Sequence, residues 1–160
     1  MIETIVPNQG IGQEPQVQFH RLWTLEEFRR MRDAFVADNL WREERILFLD
    51  LIYYAGLQPD EAFRIDRVIA DDALNVGRLQ ISGWSVPAND RIKNQLEKLI
   101  NIDDGRTYLL VPRGQPVEFV KRSFQISVEH HGHRIIQDFS AGILTVDGLC
   151  ATYANNSRRF

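Results

Sequence analysis

The last third of the chain carries Arg113, Lys121, Arg122, Arg134, Arg158 and Arg159, side chains that meet phosphate oxygens through charge-assisted hydrogen bonds. Other groups able to do chemistry lie near them or upstream. His130, His131 and His133 flank Gly132, and imidazoles so close together can chelate zinc or nickel. Asp71-Asp72 and Asp103-Asp104 are neighbouring carboxylates of the kind that hold hard cations. Tyr53, Tyr54, Tyr108 and Tyr153 carry phenols that could serve as nucleophiles, and Cys150 is the one thiol.

Most of these groups have a plainer reading. The histidine run falls at a predicted helix end with Gly132 as breaker, where imidazoles also favour the helix dipole and solvent. Both aspartate pairs flank turn-type residues and read as solvated turns. Tyr53 and Tyr54 sit within an apolar helical stretch, so packing accounts for them. Cys150 has no second cysteine to pair with and no Cys/His ligand set beside it, and reads as a small buried hydrophobe. No Ser/His/Asp order, glycine-rich phosphate loop or metalloprotease pair is present. No metal, cofactor or small-molecule substrate is therefore expected.

Charge is unevenly spread. The net formal charge is −3, which opposes a strong nonspecific grip on nucleic acid because phosphate neutralisation supplies most of that affinity. Residues 1–60 hold six Lys/Arg against ten Asp/Glu, whereas residues 111–160 hold six against four and three of the four histidines. Any DNA contact is expected in that last third.

The elements that must position these groups follow from patterning. With 160 residues, 44% hydrophobic and 26% charged, the composition is that of one folded domain. Residues 1–20, with Pro7, Gly10, Gly12 and Pro15, read as a flexible N-terminal arm, and residues 21–160 as the domain. No signal-peptide pattern or bilayer-length apolar run appears, so a cytoplasmic protein is expected. Thr24 and Glu27 form a capping box, with Trp23 and Phe28 as a staple, ahead of Leu25, Phe28, Met31 and Phe35 at helical spacing. Residues 43–55 (EERILFLDLIYYA) are apolar nearly all round and end at Gly56, predicting a central buried helix. Pro59 opens a short helix to Ile65. Between Arg67 and Pro87, Val68, Ile69, Leu79 and Ile81 predict short strands of a small antiparallel sheet. Helical patterning returns at residues 90–100, after Pro116 with Val117, Val120, Phe124 and Val128, and at residues 146–154.

Three blocks in this order resemble the catalytic domain of tyrosine recombinases, the phage integrases. Residues 23–28 (WTLEEF) are similar to the "LT.EE" opening of that domain. Residues 51–65 (LIYYAGLQPDEAFRI) resemble its first active-site box, Y-x-T-G-L-R-x-x-E-x-x-x-L. Residues 144–154 (LTVDGLCATYA) resemble the second, L-T-x-H-x-L-R-H-x-F-A, with Tyr153 at its aromatic core position. The resemblance covers residues 20 to 155 and implies a mainly α fold with a small antiparallel β-sheet, integrase catalytic-domain-like.

It also implies what the chemistry would require. In the family a tyrosine attacks the scissile phosphate, two arginines hold its oxygens, and a lysine and histidines move protons, because charge building on the reacting phosphate must meet preorganised donors. Here the first arginine position is Gln58, the second is Cys150, and the histidine three residues before it is Asp147. The hairpin that should bring the lysine reads Gly83-Trp84-Ser85, and the chain ends at Phe160, ahead of the family's third histidine box and its tyrosine. Gly56 and Glu61, which support the local fold in that pattern, remain. The expectation is a non-catalytic DNA-binding or regulatory protein related to a mobile-element recombinase, with Arg113, Lys121, Arg122, Arg134, Arg158 and Arg159 as DNA contacts. The alternative is a protein–protein module, self-associating or docking on an active recombinase, without DNA binding.

Overall fold

Helix α1 (Leu25–Ala37) starts at the capping box: Thr24 N–H donates to Glu27 Oε1 at 2.9 Å, and Glu27 N–H donates to Thr24 Oγ1 at 3.1 Å. Two backbone donors that the first turn would leave unpaired are thereby satisfied. A computed structural model describes residues 24–37, 40–81 and 83–135, without the side chains of Trp84 and residues 133–135. Trp23 of the expected staple, the arm at residues 1–20 and the helix at residues 146–154 lie outside the described residues.

Phe28, Met31 and Phe35 turn the buried face of α1 onto α2 (Arg42–Ala55). The second helix is buried from Glu44 through Ile52, on all sides, as its nearly all-round apolar pattern predicts. Gly56 closes it at φ 70°, a conformation that costs glycine nothing, and its N–H reaches the Ile52 carbonyl at 3.2 Å while Leu57 N–H reaches that of Leu51 at 3.3 Å. Gln58 then precedes the single-turn α3 (Pro59–Ala62), which stops three residues short of the expected Ile65. The segment ends early because its following backbone pairs elsewhere: the Ile65 carbonyl accepts from Leu109 N–H at 3.0 Å, and Asp66 bridges Tyr108 in antiparallel fashion.

The stretch read as its first strand is instead a helix, α4 (Arg67–Val76). Asp66 caps it, accepting from Ile69 N–H at 2.9 Å, Gly77 ends it at φ 83°, and Ala70 and Ala73 are its buried stripe. Caps at both ends and two alanines on one face outweigh the weak strand preference of Val68 and Ile69. Asp71 and Asp72 are accordingly exposed helical residues, not turns. The sheet has two strands, β1 (Arg78–Ile81) and β2 (Trp84–Pro87), antiparallel, with Leu79 opposite Val86. Asn89 caps α5 (Asp90–Ile100) through Ile92 N–H at 2.8 Å.

A long helix, α6 (Val117–Ile135), completes the described chain. It runs through Gly132, where the sequence predicts a break. His131 and Gly132 are buried, with the His131 ring edge-on to Phe35 at 6.5 Å, and that packing outweighs the ~1 kcal/mol cost of a mid-helix glycine. Helices α1 and α5 pack on α2, α6 packs on α1, and α4 supports the hairpin and α5. Phe35, Phe48, Phe63 and Phe124 meet at centroid distances of 5.3–6.4 Å. The Arg45 guanidinium lies 4.6 Å over the Phe35 ring and donates to Ser127 Oγ at 2.8 Å, fastening α2 to α6. No helix among the described residues is long and apolar enough to cross a membrane.

Among the described residues, Asp50 is the one carboxylate with no exposure in this core. Arg32 Nε reaches its Oδ1 at 3.2 Å, and Oδ2 has no hydrogen-bond partner. Burial pushes this carboxyl above its ordinary range, against the pull of Arg32 and Arg91. The folded state therefore holds the Asp50 proton more tightly than the unfolded chain does, so its stability contribution is full at acid pH and declines as pH rises through the folded value. The Tm of wild type, measured against Asp50→Asn, should fall relative to the variant between pH 4 and pH 7. A wild type that gains on the variant over that interval would reverse the sign assigned here.

Candidate functional site

The sequence between Gly56 and Ile65 has to make two sharp changes of direction, one out of α2 and one into α4. Gly56 and Pro59 supply the first, and Leu57 is buried beneath it while Gln58 is left exposed at the surface. Glu61 reaches back to fix this corner, its Oε1 accepting from Gln58 N–H at 2.8 Å. Glu61 thus holds the backbone of Gln58, the exposed residue at the turn of this corner.

Two other segments converge on the same corner. The first is the start of α6: Lys121 Nζ is ion-paired with Asp60, two residues after Gln58, and lies 3.2 Å from Glu118 on its own helix. Its side chain is only 18% exposed. Hydrogen bonding to Asp60 raises the Lys121 ammonium above its ordinary value and, reciprocally, holds the Asp60 carboxyl down. Both are charged at neutral pH, so the lysine reaches the surface with its charge already balanced.

The second segment is the loop from residue 101 to 116, pinned beside Ile65 and Asp66 by the contacts of Tyr108 and Leu109. Arg106 holds this loop from within. Its Nη1 donates to Glu44 Oε2 at 2.6 Å and to the Leu109 carbonyl at 2.9 Å, while Nη2 donates to Asp104 Oδ2 at 2.9 Å. The hydrogen bond from Arg106 holds the Asp104 carboxyl down to about 2. Asp103 pairs with Arg67 at 3.2 Å with its side chain 75% exposed, so the second aspartate pair lies in a solvated turn segment, as expected, and is ion-paired within it. Beyond it, Arg113 and Gln115 line an open cleft of about 210 Å³ with Tyr108 and Val117.

The six expected DNA contacts are consequently unlike one another. Arg113 and Arg122 are exposed. Lys121 is half-buried and paired. Arg134 lies on the backbone of α6 with its side chain outside the description, and Arg158 and Arg159, like Asp147 and Cys150, lie outside the described residues. The hairpin's own cation, Arg78, donates to Ser85 Oγ at 3.0 Å and to the Ser85 carbonyl at 3.3 Å. Among the described residues, no group of three or more His, Cys, Asp or Glu could hold a metal ion.

The tyrosines fit packing better than attack. Tyr53 stacks on Phe28 at 4.0 Å and Tyr54 meets the same ring edge-on at 5.6 Å, and burial raises the Tyr53 phenol above its ordinary value, away from the phenolate. Sequence reasoning missed the Lys121–Asp60 pair and the Arg106 anchor. Asp104 and Leu109 lie within three residues of Arg106, and Glu118 within three of Lys121, but Asp60 and Glu44 are separated from their partners by 61 and 62 residues.

No protein-family model matches the chain, and no curated protein matches it. Among solved structures it is similar to the crystal structure of XerA recombinase, with a TM-score of 0.63 and 15% sequence identity, over 88% of this chain and 50% of that one. The chain thus spans about half the length of that recombinase. At this identity the likeness shows the fold alone: a mainly helical fold with a two-stranded antiparallel hairpin, structurally similar to a tyrosine-recombinase domain.

Proposed function

We propose that this chain is a non-cutting DNA-binding domain of the recombinase type, related to a mobile-element recombinase and acting by occupying a site or by pairing with an active enzyme. The observation that carries the reading is the Gln58 corner. An amide there brings no charge and no guanidinium fork, and Lys121, which shares this corner with Arg64, is already balanced by Asp60 and Glu118. A reacting phosphate would find little of the positive cage its transition state needs. Binding is less demanding, because phosphate contacts spread over a surface survive the loss of a single pocket, and Arg113 and Arg122 are exposed for it.

The test is a fluorescence-polarisation titration of a labelled duplex at two salt concentrations, together with a gel assay for covalent adducts. Two exposed arginines imply a salt slope of about −2, so raising salt from roughly 50 to 200 mM should weaken binding about tenfold. No covalent protein–DNA adduct should form on a nicked duplex that traps cleaved ends; an adduct would overturn the non-cutting reading. Absence of binding at the lower salt would transfer the weight to the second reading, a protein–protein module, which the net charge of −3 favours.

A further inference from the structure

Two helix faces of this molecule each carry exposed apolar side chains on either side of a charge, and the two charges are opposite. On α4 the stripe is Val68, Asp72 and Val76; both valines are 68% exposed, and Asp72 lies between them on adjoining turns. On α6 the stripe is Phe119, Arg122 and Ile126, with Phe119 58% and Ile126 51% exposed. At 1.5 Å per residue the α4 triplet spans about 12 Å and the α6 triplet about 10.5 Å, so apolar, charged and apolar positions fall opposite one another within roughly a side-chain width. The match holds with the helices parallel or antiparallel, since each charge sits near the middle of its triplet. Glu129 borders the α6 stripe one turn further on, and Arg67, already bonded to Asp103, borders that of α4.

Isolated exposed apolar residues are ordinary, but large aliphatic and aromatic side chains grouped on one helix face mark contact surfaces. Phe119 is already positioned for such a contact, its ring edge-on to Trp41 at 6.3 Å. Trp41 itself is held at φ 54°, a conformation unfavourable for a bulky residue and sustained by Arg45 Nε donating to the Leu40 carbonyl at 2.8 Å. Asp72 and Arg122 would each complete an ion pair as the surrounding apolar groups leave water, so the charges select the partner while the apolar groups supply the attraction.

We propose that a second copy of this chain is the partner: the α4 face of one molecule docks on the α6 face of the next, Asp72 against Arg122. The two faces differ, so the contact is heterologous, and each docked pair keeps one free face at either end. The association needs no DNA, although it draws on Arg122, which the DNA-binding reading also uses, so it is tested in the absence of DNA.

Sedimentation equilibrium of nuclease-treated protein tests it. Weight-average mass should climb with concentration beyond two chains. Val68→Lys/Val76→Lys, which disables the α4 face, and Ile126→Glu, which disables the α6 face, should each be monomeric alone, whereas their mixture should reach two chains and stop. All three positions are exposed, so circular dichroism should show unchanged melting. Arg122→Asp alone should weaken association about tenfold or more, and Asp72→Arg added to it should restore it. A wild type that stays monomeric or stops at a dimer, a mixture that stays monomeric, or a variant that associates as the wild type does, would each overturn the proposal.

Discussion

Arg106→Met should cost the fold on the order of 3–5 kcal/mol, a fall in Tm of roughly 10 °C. The side chain is 10% exposed and its partner on α2, Glu44, is 7% exposed. Removing the guanidinium leaves a carboxylate with little access to water and frees the Leu109 carbonyl it also holds. The same loss would loosen the loop that carries Arg113. Glu44→Leu added to Arg106→Met should recover much of the deficit, since exchanging both members of a buried pair for apolar groups removes the stranded charge along with the attraction. Thermal melts of the two single variants and the double variant check this by a mutant cycle. Additive losses, or a shift below about 2 °C for Arg106→Met, would show that the network adds little beyond surface charge.

Legibility in the sequence divides along a physical line. Features set by neighbours a few residues apart are readable: the Thr24–Glu27 box, the apolar run of α2 closed by Gly56, the Leu79 and Ile81 alternation, and the Val120, Phe124, Val128 stripe of α6 all stand where their spacing puts them. Residues 67–76 were legible too, but by the competing signal. Asp66 and Gly77 bracket the segment as caps, and Ala70 with Ala73 forms a buried stripe at helical spacing, a stronger statement than the β-branching of Val68 and Ile69. Gly132 failed as a stop signal because a tertiary contact, His131 against Phe35, decided the matter. The site itself was half legible. Gln58, set between Gly56 and Pro59, can be read directly as the residue of interest in the resemblance, whereas its electrostatic surroundings depend on pairs brought together only by folding, and no local rule connects Asp60 with Lys121.

That last pair makes the sharpest statement about function. If the domain binds DNA, Asp60 competes with phosphate for Lys121, and Asp60→Asn should leave the ammonium only the 82% exposed Glu118 as a partner and so open it as one further phosphate contact. Affinity for duplex DNA at low salt should rise about tenfold and the salt slope should steepen by about one. Stability should hardly move, because Asp60 is 66% exposed and exposed ion pairs contribute little. Lys121→Ala tells the two possibilities apart when made in both backgrounds. With Asp60 present the lysine is occupied, so its loss should change binding by less than about twofold; combined with Asp60→Asn, the same change should abolish the whole gain. Equal losses in the two backgrounds would mean that Lys121 reaches phosphate despite its partner. The acidic corner beside Gln58 would then be a bystander, and Asp60 would not set how strongly this surface grips phosphate.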